Sequence, residues 1–259
     1  MRKKENTAQR LAVAAVSALL SSGFCDSCAP SEGKSVDPAT WQAIGRALEG
    51  ERRARPDRPW AAGVIMTMRA SRIGRTIDGR GAIAVSPGHA MRMILVGAAG
   101  ATMLDAWVTP ERWRIAVPPA GVLRRGGDGG ARGGQPEGDE PADLPVGFLR
   151  WLFFRPLAGT LFGGSLQPGH VLFLLRDDDA VLEVRLGVCR RGALTVTMRR
   201  DRGRTERLEE CRAGGAVTPG DSVRYEDEKA GLSVDLTIES VAAGPPEADA
   251  FENPDGDGG

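Results

Sequence analysis

Alternation of apolar and polar residues through 76–117, broken only by short turns, restricts this chain more than any other feature. A period of two sends successive side chains to opposite faces of an extended strand. The segment predicts four strands, roughly 76–85, 90–96, 101–108 and 111–117. Ser86-Pro87-Gly88, Gly97-Ala98-Ala99-Gly100 and Thr109-Pro110-Glu111 separate them, with Gly and Pro supplying the turn dihedrals. In the second strand Met91, Met93 and Leu95 share a face. In the fourth Trp113, Ile115 and Val117 do so, opposite Arg112 and Arg114. The expectation is an antiparallel meander, apolar on one face and wet on the other. None of its residues suggests catalysis.

The same period recurs on both sides. Before the meander, residues 64–72 put Val64, Met66, Met68 and Ala70 on one face. After it come 171–175, then 181–188 with Leu182, Val184, Leu186 and Val188 inward, and 193–198 with Leu194, Val196 and Met198 inward and Thr195 and Thr197 outward. Residues 204–211 are heavily charged and suit a sheet edge, where charge discourages pairing with another sheet. Strands at 223–225 and 232–238 complete about eleven. Two helices are expected. Asp37 caps the first and Pro38 occupies its first position; Trp41, Ile44, Ala47 and Leu48 form its stripe, and it stops near Gly50. Arg52-Arg53-Ala54-Arg55-Pro56 reads as a solvated linker, with contact to anionic lipid as the alternative. The second helix, within 146–157 and stopped by Pro156, is apolar almost all round. It must be buried on several sides, as a plug in a concave sheet or as a membrane-touching element.

These pieces give a fold class: mainly β (α+β), an incomplete, curved antiparallel barrel with a helical lid. A sheet this long curls to bury its apolar face, and two helices cannot cover it all, so a hydrophobic cavity remains. Met66, Met68, Ile83, Val85, Met91, Met93, Leu95, Leu104, Trp113, Ile115, Leu182, Val184, Leu186, Val196, Met198, Val234 and Leu236 are expected to line it, under a lid carrying Phe148, Trp151, Leu152 and Phe154. Methionine is flexible and suits variable apolar partners, although ordinary cores use it too. Residues 119–145, rich in Gly, have little to bury and read as a mobile insertion; 252–259 form an acidic Gly-rich tail.

The first residues read as an address. Met1-Arg2-Lys3-Lys4 is a basic start, residues 11–20 are a short apolar run, and Ser21, Ser22 and Gly23 are small. That is a secretory signal, 1–24, too short for a spanning helix of about 20 apolar residues. Cys25 follows at the position of a lipid-bearing first residue, with Cys28 as the alternative lipid site and ordinary cleavage near Gly23, without an anchor, as the other reading. Residues 25–37 then serve as a tether to a single domain, 38–251. Cys189 and Cys211 lie at the same end of two expected strands with one strand between. Export permits a disulfide there; two buried thiols are the other possibility.

Candidate chemistry is sparse. His89 and His170 each follow a Pro-Gly in a turn, away from any G-x-S-x-G or H-E-x-x-H pattern. Asp177-Asp178-Asp179 lacks calcium-loop spacing and reads as a hairpin turn. Cys25-x-x-Cys28 has no second ligand pair for a metal. Zero net charge argues against a nucleic-acid partner. The expectation is no enzyme, no cofactor and no metal.

The signal and cysteine, the first helix, Gly79-Arg80-Gly81-Ala82-Ile83-Ala84-Val85 and the run from Met91 to Ala101 together resemble the bacterial outer-membrane lipoprotein carrier and receptor family (LolA/LolB-like). The resemblance spans about 38–118 and 147–251, through Asp249-Ala250-Phe251. It implies an incomplete eleven-stranded barrel, a helical lid and a cavity for acyl chains. Two positions differ from the family. The loop at 97–100 offers only Ala98 and Ala99 where the receptor protrudes a large apolar residue, and Ser86 stands where the carrier has arginine. The implied role is an envelope lipoprotein, facing the periplasm from the outer membrane or soluble there, that binds acyl chains or another hydrophobic ligand and serves lipid or lipoprotein trafficking. The alternative is a non-catalytic assembly lipoprotein that docks another envelope protein.

Overall fold

The computed structural model describes residues 37–71, 74–127, 145–154, 156–201 and 203–256. Helix α1 spans Pro38–Arg53. Asp37 Oδ1 accepts from the Ala39 and Thr40 backbone N–H groups at 3.0 Å each, and the Thr40 side chain foremost, with these backbone bonds, holds its carboxyl below the usual carboxylate range. The helix runs past the expected stop at Gly50 because its last turn is tied down from outside. Arg52 donates to the backbone oxygens of Leu157 and Gly159, the latter at 2.8 Å. The basic cluster after Gly50 is therefore a clamp and not a solvated linker.

Thirteen strands follow in one sheet. They are β1 Trp60–Ala70, β2 Arg75–Ser86, β3 Ala90–Val96, β4 Thr102–Val108, β5 Arg112–Val117, β6 Val122–Gly127, β7 Thr160–Gln167, β8 His170–Asp177, β9 Ala180–Cys189, β10 Gly192–Asp201, β11 Arg204–Arg212, β12 Ser222–Asp227 and β13 Leu232–Val241. All pairings are antiparallel, and the order is β6-β5-β4-β3-β2-β1-β13-β12-β11-β10-β9-β8-β7. The sheet is thus two hairpin series joined at its centre by β1 and β13, open at β6 and β7. Helix α2, Val146–Phe154, enters between β6 and β7 in sequence and packs against the concave face. The expected curved open barrel with a helical lid is the fold observed.

Two strands exceed the expected eleven. β6 occupies part of the segment expected as an insertion; residues 128–144 lie outside the described residues. Its glycines are structural: a Cβ on Gly126 would lie 2.5 Å from the Trp113 indole, which packs on the bare backbone. β7 carries Gly163 and Gly164, and a Cβ on Gly164 would lie 2.9 Å from Ile44 of α1. Both strands read as loops because glycine there makes room for a neighbour.

The concave face holds two apolar clusters. Under α2, the larger gathers Met66, Met68, Met91, Met93, Leu95, Leu104, Ile115 and Val234 with Phe148, Leu149, Trp151 and Leu152. Under α1, Ile44 and Leu48 meet Phe173, Leu175, Leu182 and Val184. A polar belt on β10 and β11 separates them, with Thr195, Thr197, Glu206 and Glu210 at 4% exposure or less. This corrects two expectations. Thr195 pairs across from Leu186 and Thr197 from Val184, so the threonines face inward and Val196 and Met198 face outward with Arg185 and Glu183. β11 is an interior strand, since its inward carboxylates are neutralised: Arg199 Nη1 lies 3.1 Å from Glu206, and Arg55 Nη2 lies 2.5 Å from Glu210. Burial raises the Tyr225 phenol, and Glu206, which accepts its hydrogen bond at 2.6 Å, raises it further. Val188, expected inside, is 82% exposed where β9 runs out past the helix.

On the convex face Cys189 and Cys211 are bonded across β10, with Cα atoms 6.0 Å apart. Gly192 permits this approach: its φ is +154°, and a Cβ would lie 2.7 Å from the Arg212 carbonyl oxygen. Asp178 takes φ +53° in the β8–β9 hairpin turn, a conformation Asp tolerates better than most residues.

Candidate functional site

Helix α2 is too short to cover the larger cluster to its end. Beyond its last turn a cavity of about 250 Å³ opens at the rim of the sheet. Leu152, Phe153, Phe154 and Pro156 roof it. Ile83 and Val85 of β2, Leu236 and Ile238 of β13, and Val223 of β12 floor it; Pro87, Gly88 and Trp60 close one side, and Gly215, Ala216 and Val217 the other. Trp60 is held by the Phe153 ring, with centroids 6.2 Å apart. Most of this wall is hydrocarbon, so that part of the space favours an apolar guest over water.

One corner is charged. Arg55, Glu210, Arg212, Asp221 and Ser222 line it. Arg55 makes a two-point pair with Glu210 at 3.1 and 2.5 Å, and Arg212 pairs with Glu51 of α1. Burial works against the Arg55 charge, yet Glu210 outweighs it and holds the guanidinium above its ordinary value. Asp221 is occupied by its own loop, accepting from the backbone of Ala213 and Thr218 at 2.9 Å.

No protein-family model and no curated protein matches the chain. Among solved structures, a candidate outer membrane lipoprotein-sorting protein domain from Vibrio parahaemolyticus is 12% identical, covers 80% of this chain and 95% of its own, and overlays with a TM-score of 0.44. A LolA superfamily protein from Nitrosomonas europaea is 14% identical over 83% of this chain and 98% of its own, at 0.37. A DUF1329 family protein from Desulfovibrio piger is 10% identical over the same shares, at 0.40. These are likenesses to individual solved structures. Identities this low and overlaps this loose transfer no role to this chain.

Within this sheet, the residues expected to line one cavity are divided among four places. Ile83, Val85 and Leu236 line the cavity, together with Leu152 and Phe154 of the lid. Met66, Met68, Met91, Met93, Leu95, Leu104, Trp113, Ile115 and Val234 are packed solid beneath α2, where Phe148 and Trp151 meet the Tyr225 ring at 5.0 and 6.3 Å. Leu182, Val184 and Leu186 belong to the cluster under α1. Val196 and Met198 are on the convex face. The charged corner was missed altogether, because Arg55 reads as linker, Glu210 as edge-strand surface, and Arg212 lies just past the expected strand 204–211. One signal was available: on β11 the even positions Arg204, Glu206, Glu210 and Arg212 balance in charge around a lone Leu208, as a paired inward face does.

The remaining candidates stay apart from this site. His89 is exposed in the β2–β3 turn, and His170 is half-buried at the start of β8, on a different hairpin. Ala98 and Ala99 are exposed at the β3–β4 tip. Cys25 and Cys28 lie outside the described residues. Among the described residues there is no cluster of three metal-ligating side chains, and no helix long and apolar enough to cross a membrane.

Proposed function

We propose that this chain is an exported envelope lipoprotein, anchored through Cys25 or Cys28, that binds an acyl chain or a similarly slender apolar group between α2 and the floor of the sheet. The observation that carries the reading is the apolar cavity at the end of α2, roofed by Leu152 and Phe154 and floored by Ile83 and Leu236. Each methylene transferred from water into such a space contributes roughly 0.8 kcal/mol. The Cys189–Cys211 bond supports an oxidising compartment and hence export. On this reading the role is binding and release.

Native mass spectrometry of the protein purified after export is expected to show a bound mass that organic extraction identifies as lipid. Leu236→Trp, which fills the cavity, is expected to abolish that mass without unfolding the domain. Clean apo-protein that refuses added fatty acids and esters would overturn the reading. A ligand-free docking role then takes its place, favoured by the open edge strand β7, where Phe162 and Leu166 are 45% and 48% exposed.

A further inference from the structure

A second cavity, of about 350 Å³, lies at the β5–β6 end of the sheet and shares no wall residue with the apolar one. Strand register builds it. Trp107 pairs with Arg114 and Arg114 with Arg125, so all three lie on the face turned away from the core. Arg112, two residues before Arg114, shares that face. It sits diagonally across from Arg125, a spacing of about 7–8 Å between neighbouring strands. The C-terminal segment closes the far side through Asn253 and Asp255. Asn253 shapes that turn, accepting from the Asp255 N–H at 3.2 Å and donating to the Gly256 carbonyl at 2.7 Å.

Three arginines face one carboxylate on this wall. Asp255 accepts from Nε of Arg114 and from Nε of Arg125, and Arg114 Nη1 donates to Asp105 at 2.9 Å. Two forks are left with donors to give. Arg125 engages only its Nε, and its side chain is 54% exposed. Arg112 is exposed, and its guanidinium has no carboxylate partner among the described residues. It is nonetheless held in place, 5.8 Å from the centroid of the Trp107 ring, which Phe251 fixes in turn. A Cβ on Gly127, directly opposite, would lie 3.1 Å from Arg112 Cγ, so the bare backbone there leaves the arginine its place. These donors are open to water, and hence to a guest.

The charge and spacing of the forks decide the class of guest. A planar carboxylate satisfies one guanidinium and carries one charge; Asp255 already plays that part. A phosphate monoester carries about −1.5 to −2 at neutral pH and presents oxygens in three directions, so it can engage two forks on adjacent strands. We propose that this cavity binds a phosphate monoester group between Arg112 and Arg125. Asp255 fixes the Arg125 stem through Nε and leaves both terminal nitrogens of that fork to the phosphate. The site goes beyond the acyl reading above and does not depend on it.

The test is isothermal titration calorimetry of the purified full chain with methyl phosphate and acetate. Co-sedimentation with phosphatidylcholine vesicles, carrying or lacking phosphatidic acid, then identifies the source of the phosphate. Methyl phosphate is expected to bind, and acetate to bind about tenfold more weakly. Arg112→Gln and Arg125→Gln are each expected to weaken methyl phosphate about tenfold, the size of one hydrogen bond to a charged donor. Arg124→Gln, opposite Ile115 and so on the other face, is expected to bind as the wild type does. Sedimentation that needs phosphatidic acid and is lost in Arg112→Gln supports a lipid headgroup as the ligand. Binding of methyl phosphate without such sedimentation supports a soluble ester. Absence of methyl phosphate binding, equal affinity for acetate, or an equal loss in Arg124→Gln would each overturn the proposal. The wild-type preference decides the matter even if the arginine variants fail to fold, and none of these results bears on the acyl cavity.

Discussion

Glycine 81 shows how little freedom single positions have in the centre of this sheet. It lies between β1 and β3, opposite Val64 on one side and Leu95 on the other. A Cβ there would sit 1.9 Å from the Ile94 carbonyl oxygen, which is backbone and cannot swing aside. Gly81→Ala is therefore expected to cost on the order of 3 kcal/mol in denaturant unfolding; a loss below about 1 kcal/mol would show that β2 and β3 separate more easily than the register implies. This residue was legible as part of a strand and illegible as an obligatory glycine, since the clash comes from a partner strand. Thr195 and Thr197 teach the converse. Propensity and alternation assign Val196 and Met198 to the interior, yet the half-buried acceptor Glu51 and the charged neighbours on β11 make the inner side of β10 polar. A period of two fixes the spacing of a face but not which face is buried.

Elements were recovered where their burial is decided by their own sequence, and missed where a neighbour decides it. β1 to β5 and β13 alternate against continuous apolar clusters and emerge with nearly their expected limits. β6 and β7, rich in glycine, exist because Trp113 and Ile44 need bare backbone to pack on. The C-terminal segment is a further element fixed from outside. Phe251 accepts from Trp107 Nε1 at 2.8 Å, and Asp255 receives Arg114 and Arg125 at 3.0 and 2.7 Å. Those bonds, with Arg125 foremost, hold the Asp255 carboxyl below its ordinary 3.8. A depressed carboxylate stabilises the folded form at pH above its unfolded value and loses that contribution as pH falls through its folded one. The Trp107 Nε1–H resonance is expected to stay put from neutral pH to about pH 4 and to move below it. In Asp255→Asn it should already be displaced at neutral pH. An identical titration in both proteins would show that Asp255 does not hold the segment.

At the scale of the molecule, the architecture was readable because one long antiparallel sheet with few helices has few ways to bury one face. The interior layout was not. The expectation of a single cavity gave way to two packed clusters, a polar belt and a smaller space at the rim, because apart from the charge balance along β11 the paired charges read in sequence like charges facing water. Across the belt the Cys189–Cys211 bond ties β9 to β11 on the opposite face, closing a loop of 22 residues. Chain-entropy arguments give such a bridge about 3 kcal/mol. Cys189→Ser/Cys211→Ser is expected to lower global stability by that amount in urea, while reduction of the double variant changes nothing further. An unchanged midpoint would mean that the belt alone holds these strands.

The placement of β1 beside β13 has a consequence for the order of events. Every other strand pairs with its neighbour in sequence, except where the two hairpin series meet. A chain that emerges amino end first can therefore complete one wing and then the other, each from local contacts, before the seam between Val64 and Ile238, or Met66 and Leu236, is sewn. Ile83 and Val85 belong to the first wing, and Val223, Leu236 and Ile238 to the second. The cavity is not inherited from either wing: its floor is complete only when the last strand docks beside the first.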